Sequence, residues 1–242
     1  MYKIKNISGS VKEVDVKSNL VKGYFSTFGI KDSDGDIIKN GAYAKTIAES
    51  GPNGSNRILH LLQHNPMYPL GKPLKLIEDE HGLYFETAVS DTSYGKDTLK
   101  LYRDEVVSEH SVGFQVVKEH YSDEEQANIM TEIKLWEGST VTWGANQFAQ
   151  GSLAKNLIPN DKLVERFKQI NKAYYSGDYT DETYKLLKQQ KEFLESVIYK
   201  ALQNQKEPSG KDPDTPQNDG YGAVDLDKTF QSFNLQLAFE EI

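Results

Sequence analysis

Period-two alternation of apolar residues limits this chain more than any other feature. Leu83, Phe85, Thr87 and Val89 fall on one side of the stretch 82–89, and Val112, Phe114 and Val116 alternate with Ser111, Gly113 and Gln115. Successive side chains of a strand point to opposite faces, so each stretch reads as a β-strand with one buried face. Residues 1–29 read as two further β segments, because Val14 and Val16 alternate with charged neighbours and Leu20 to Phe28 is rich in β-branched and aromatic residues. The apolar run from Arg57 to Pro66 is short and bounded by turn residues. It reads as a buried strand with Ile58, His60, Leu62 and His64 on one face and a turn at Asn65-Pro66. A loop through 69–73 then leads to Pro73 to Ile77, which pairs with 82–89 across Glu78 to His81. After a polar loop at 121–128, Ile129 to Trp143 supplies one or two more strands.

Helical spacing appears in four places. Gly41 to Ser50 places Ala42, Ala44 and Ile47 on neighbouring turns before Gly51-Pro52 stops the helix, and residues 94–107 carry Leu99, Tyr102 and Val106 three and four apart. Beyond about residue 155 the period changes for good. Asn160-Asp161 caps a helix with the stripe Leu163, Phe167, Ile170 and Tyr174, Ser176-Gly177-Asp178 breaks it, and Thr180 opens a second helix striped by Tyr184, Leu187, Leu194, Ile198 and Leu202. Two helices and a short turn make an antiparallel hairpin or docking arm. Gln203 to Gly222 lacks apolar residues and reads as a disordered linker, whereas the last twenty residues regain Leu226, Phe230, Phe233, Leu235, Leu237 and Phe239. The expected organisation is a domain over 1–155, a helical arm over 156–204, a linker over 205–222 and a tethered apolar peptide over 223–242.

Composition removes several function classes. The 242 residues include no cysteine, which excludes disulfides, thiolate metal sites and cysteine nucleophiles. A net charge of −8 argues against general nucleic-acid binding. No apolar run has the length of a signal peptide or of a membrane helix, so the expectation is a soluble cytoplasmic protein whose partners are proteins, with neither membrane nor nucleic acid among them. The acidic run Lys31 to Asp36 invites a calcium reading, but an EF-hand loop starting at Asp32 needs glycine where Ile37 stands and a bidentate glutamate where Tyr43 stands. A solvated turn is the better account.

Three residues are candidates for chemistry. Ser111 opens a strand, with Gly113 two residues on along the same face, so a substrate backbone can approach its hydroxyl without meeting a side chain. The same serine is an ordinary structural hydroxyl unless a base and an orienting group meet it. His64, at the end of its strand, is either a surface histidine or that base. Glu137 sits between Leu135-Trp136 and Val141, where an unpaired carboxylate costs several kcal/mol, so it needs a partner: a backbone N–H, a lysine or an imidazole. A metal held by His60, His64 and Glu137 is the weaker reading, since no HExxH-like spacing occurs, and no cofactor is expected. His81, His110 and His120 read as structural or exposed, with His110 directed away from the face of Ser111.

Over about residues 20–150 the ordered blocks Gly23-Tyr24-Phe25, Asp34-Gly35-Asp36-Ile37-Ile38, Leu61-Leu62-Gln63-His64-Asn65, His110-Ser111-Val112-Gly113-Phe114 and Trp136-Glu137-Gly138-Ser139-Thr140-Val141 resemble the prohead maturation proteases of tailed phages, a family related to herpesvirus assemblin. Two positions depart from the family pattern: Gly138 stands where a small aliphatic residue is the rule, and Gly144 where proline is common. The resemblance implies a serine endopeptidase with His64, Ser111 and Glu137 as its catalytic group, and an α+β fold built on a small, mainly antiparallel closed β-barrel flanked by helices. It also implies a homodimer that acts in the host cytoplasm, inside the assembling prohead. There it would cut the scaffold protein, extensions of the major capsid protein and itself. The competing function is a non-enzymatic, scaffold-like assembly factor acting through the C-terminal arm.

Overall fold

The computed structural model describes residues 3–15, 18–32, 35–142 and 160–206. Nine strands and four helices lie among them: β1 Lys3–Asp15, β2 Leu20–Thr27, β3 Asp36–Ile38, α1 Ala44–Ser50, β4 Leu59–Leu62, β5 Asn65–Gly71, β6 Pro73–Glu78, β7 Gly82–Ala88, α2 Ser93–Arg103, β8 Glu109–Ser122, β9 Ala127–Val141, α3 Asn160–Ser176 and α4 Asp181–Lys206. The α+β class is as expected. None of the described helices is long and apolar enough to cross a membrane.

The sheet follows the order β5-β4-β9-β8-β1-β2-β7-β6, and β3 adds to β9. Pairing is antiparallel except where β3 and β4 run parallel to β9. The long strand β9 is the spine. It lies along β8 for nearly its whole length, while β3 occupies the first part of its other edge and β4 the second.

The expected closed barrel is not formed by these ladders, because β5 and β6 are the two ends of the hydrogen-bonded path. Yet Lys72 alone separates β5 from β6 in the chain. A residue of extended chain spans only about 3.3 to 3.6 Å, so the sheet must curl until its two ends nearly meet. Curling is aided by irregular register in β1, between Lys5 and Gly9 against β8 and between Val11 and Glu13 against β2.

The main apolar core joins strand residues such as Phe25, Leu83, Phe85 and Phe114 with the buried stripes of the helices, and Ile37, Ala127 and Ile129 form a second, small cluster. Phe25 stacks on Phe85 with centroids 3.8 Å apart and planes at 7°. The Phe25 ring also covers the backbone of Gly138, where an added Cβ would lie 2.4 Å from it. This is why Gly138 stands where an aliphatic residue was expected: the ring occupies the side chain's place. Gly144, the other departure, lies outside the described residues.

Helix boundaries follow local chemistry. Thr92 Oγ1 accepts the Gly95 N–H at 3.1 Å and caps α2, which ends at Arg103 and not at residue 107 because Glu105 turns left-handed at φ 57. Helix α1 begins at Ala44, after Gly41 at φ 92. The two arm helices form, starting at Asn160 and Asp181, but α4 runs on to Lys206 and takes the first residues assigned to the linker. The remaining linker and the apolar peptide lie outside the described residues. Buried Asp97 of α2 accepts both the N–H and the hydroxyl of Thr180 at 2.7 Å, tying the start of α4 to the body of the protein.

Candidate active site

The two faces of the β8–β9 ladder carry different chemistry. One face, turned to the core, bears His110, Val112, Gly138 and Thr140, and His60 of β4 joins it through a 2.8 Å hydrogen bond between Nε2 and Thr140 Oγ1. Tyr102 closes this group from α2, its hydroxyl 2.8 Å from His110 Nε2 and 2.5 Å from Thr140 Oγ1. His60 and His110 pack edge-on against Phe85, at 5.0 and 4.8 Å between centroids. Burial pushes both imidazoles toward the neutral form, His60 well below the usual histidine range and His110 down to about 3. His60 is therefore a core residue, far in character from a metal ligand. No group of three or more metal-binding side chains occurs among the described residues.

The other face carries Ser111, Gly113, Glu137 and Ser139. Ser111 pairs directly with Ser139 across the ladder and Gly113 with Glu137, so the two hydroxyls face each other and no side chain stands opposite the carboxylate. Ser111, Glu137 and Ser139 are all buried.

His64 reaches this face from a turn. Leu62 pairs with Asn65, which leaves Gln63 and His64 as the two central residues of the hairpin, each at φ 55. Two successive positive φ values are the signature of a type I′ turn, where Asn-Gly is the preferred sequence and neither glutamine nor histidine is favoured. The expected turn at Asn65-Pro66 is instead the start of β5, which also takes up most of the expected loop through 69–73. His64 accordingly leaves the face it was assigned to share with His60 and Leu62. The left-handed backbone swings its ring across β9 to Glu137, with Nδ1 2.7 Å from Oε1.

A carboxylate only accepts, so Nδ1 carries the proton and Nε2 is left as the basic nitrogen. Nε2 is buried and has no hydrogen-bond partner among the described residues. Sequence reasoning missed Ser139, which organises the pair: its hydroxyl donates to Glu137 Oε2 at 2.6 Å and its oxygen accepts the His64 N–H at 3.1 Å. The signal was present, since a residue two beyond Glu137 on a strand must share its face. An imidazole fixed in one tautomer by a buried carboxylate is equipped to take a proton from a neighbouring group. That is the equipment of a general base in a hydrolase.

Comparison with known proteins defines the family. Residues 8–162 match the model of the caudovirus prohead serine proteases, and the chain belongs to that family. It is similar to the prohead protease of Enterobacteria phage HK97, at 33% identity over 161 residues that make up 64% of this chain and 70% of that protein. The prohead protease of Escherichia phage T5 is similar at 28% over 158 residues, 65% of this chain and 72% of that one. Among solved structures, the capsid assembly protease of bacteriophage T4 resembles it with a TM-score of 0.46 and 13% identity, over 60% of this chain and 98% of that one.

Proposed function

We propose that this prohead protease cleaves peptide bonds through Ser111, His64 and Glu137. Ser111 Oγ attacks the scissile carbonyl while His64 Nε2 takes its proton; a C–O bond forms as the carbonyl becomes tetrahedral. The tetrahedral species then expels the amine, which leaves with the proton returned by His64. Water, activated by the same nitrogen, hydrolyses the acyl-enzyme and restores Ser111. Glu137 keeps the proton on Nδ1 and stabilises the imidazolium formed in each step. The tetrahedral oxyanion needs about two donors, and the loss of one costs roughly 2.7 to 4 kcal/mol. Backbone N–H groups at the strand ends or loops fill that role.

The observation that carries this reading is the 2.7 Å contact of His64 Nδ1 with Glu137, which leaves a buried Nε2 without a hydrogen-bond partner among the described residues, on the side of the ladder whose face bears Ser111. The substrates are the scaffold protein, extensions of the major capsid protein, and the chain itself, cut inside the assembling prohead. The enzyme works as a homodimer, and the C-terminal arm and tethered peptide carry it into the shell. Intact mass of the purified protein over time, wild type beside Ser111→Ala, tests the chemistry. The wild type, alone or mixed with its capsid and scaffold proteins, should release discrete fragments that the variant does not. Fragments from both proteins, or from neither, would sink the proposal, and the second result would favour the assembly factor.

A further inference from the structure

The strained turn that holds His64 is braced from an unexpected side. Gln63 Nε2 donates to Thr142 Oγ1, and so does Gln190 Nε2 of α4. Thr142 lies one residue beyond β9 and is fully buried; Gln190 is buried too. Both acceptor positions of the threonine hydroxyl are thereby filled, one by the neighbour of His64 and one by the helical hairpin. Arg166 of α3 fixes the same point, its guanidinium donating to the carbonyl oxygens of Thr142 and, at 3.2 Å, Glu105. A cleft of about 360 Å³ between the β4–β5 turn and α4 is lined by Gln63, Asn65 and Tyr68 on one side and by Glu182 and Lys185 on the other.

A non-glycine pair at positive φ persists only where its surroundings over-determine it. Here the surroundings are β9 on one side, through the Gln63 N–H to the Thr140 carbonyl at 2.9 Å, and the Thr142 node on the other. The family match ends at residue 162, so Gln190 lies beyond it.

We infer that Gln190, acting through Thr142 and Gln63, is a positioning residue for the His64 imidazole. The C-terminal helical hairpin is then a working part of the active site. The inference rests on the reading of His64 as the base. It assigns to the hairpin a task distinct from recruitment: holding Nε2 where Ser111 can use it, a placement to which rates are sensitive at about 1 Å.

The test uses the full-length chain and a quenched fluorescent peptide built on the sequence at which the wild type cuts. Gln190→Leu and Thr142→Val remove the donor and the acceptor with little change of volume, and each should lower kcat about tenfold or more with KM unchanged. The double variant should be no worse than either single one, because both break the same chain. Thr142→Ser restores the hydroxyl and should restore kcat. The inference is overturned if kcat stays at the wild-type value, if KM rises alone and makes α4 a wall for substrate, or if Thr142→Ser loses as much activity as Thr142→Val. Ser111→Ala assayed in parallel separates the two readings. Full activity there removes the catalytic assignment and this inference together, whereas an inactive Ser111→Ala beside a fully active Gln190→Leu removes this inference alone.

Discussion

Glu137 and His64 are 73 residues apart in the chain and 2.7 Å apart in the fold. Their meeting depends on the parallel pairing of β4 with β9, which sets Leu62 beside Thr140 and so delivers the next turn to the carboxylate. Ser139 then fastens backbone and side chain together, one hydroxyl serving both the His64 N–H and Glu137.

Glu137→Gln tests the carboxylate. The amide keeps the shape and can still bond to Nδ1, but it presents an N–H as readily as an oxygen and carries no charge for an imidazolium. The wrong tautomer then competes, and kcat should fall by about 10³ to 10⁴ while the fold survives. A rate within tenfold of the wild type, measured on the cleaved peptide at neutral pH, would remove Glu137 from the proposed catalytic group.

Ser139→Ala should show two effects at once. It leaves the His64 N–H and Glu137 Oε2 each short of a partner in a buried setting, so unfolding free energy should drop by about 1–3 kcal/mol in urea titration. Cleavage should slow as well, since the imidazole loses its anchor. An alanine variant with wild-type stability and rate would mean that water replaces the hydroxyl at no cost.

Gly138→Ala should destabilise the protein although a methyl group is a small addition. The new Cβ meets the Phe25 ring at 2.4 Å, and that ring is clamped against Phe85. Overpacking of this kind costs about 1–3 kcal/mol. Pairing the change with Phe25→Leu should cost less than the sum of the two single substitutions, and strict additivity would deny the contact.

Acid should weaken the fold through the core histidines. Burial holds His110 neutral down to about 3 and keeps His60 well below the usual range, with the His110 charge a second cause for His60. In the unfolded chain both take up a proton near pH 6.5. The folded values are the depressed ones, so this contribution is complete above pH 6.5 and is lost as pH falls toward the folded values. Each histidine adds a slope of about 1.4 kcal/mol per pH unit in that window. Denaturant midpoints at pH 7, 6 and 5 should fall in that order, and His110→Phe should show a flatter dependence than the wild type. Equal midpoints at all three values would contradict the burial of the two imidazoles in neutral form.

Much of this was legible in the residues. Period-two stretches such as 82–89 became strands with the expected buried face, because that alternation has no other stable use. Asn160 and Thr180 stand at the starts of the arm's two helices, where their residue types predicted a helix beginning. The need of Glu137 for a partner followed from the cost of its burial, while the choice of His64 rested on the family resemblance. What stayed hidden was set by partners distant in sequence. Gln63-His64 carries none of the residues that announce a type I′ turn, and that geometry is held by distant partners, the Thr140 carbonyl of β9 and the Thr142 hydroxyl. Periodicity alone places Ser139 on the face of Glu137, but its hydrogen bonds to Glu137 and the His64 N–H follow only from the long-range pairing of β4 and β8 with β9. The core role of His60 required the positions of Phe25, Phe85 and Thr140, which no local pattern contains.

The parallel pairing of β4 with β9 also has a meaning in time. During synthesis His64 leaves the ribosome well before the strand that bears Glu137, and Gln190 follows later still. Until the last of them arrives, the imidazole has no carboxylate to hold its tautomer and its turn has no brace. Contacts between such distant parts of a chain form slowly, because loop closure precedes any gain from them. On the proposed mechanism, a chain built in this order gains its catalytic geometry only as β9, and then α4, folds onto the turn that carries His64.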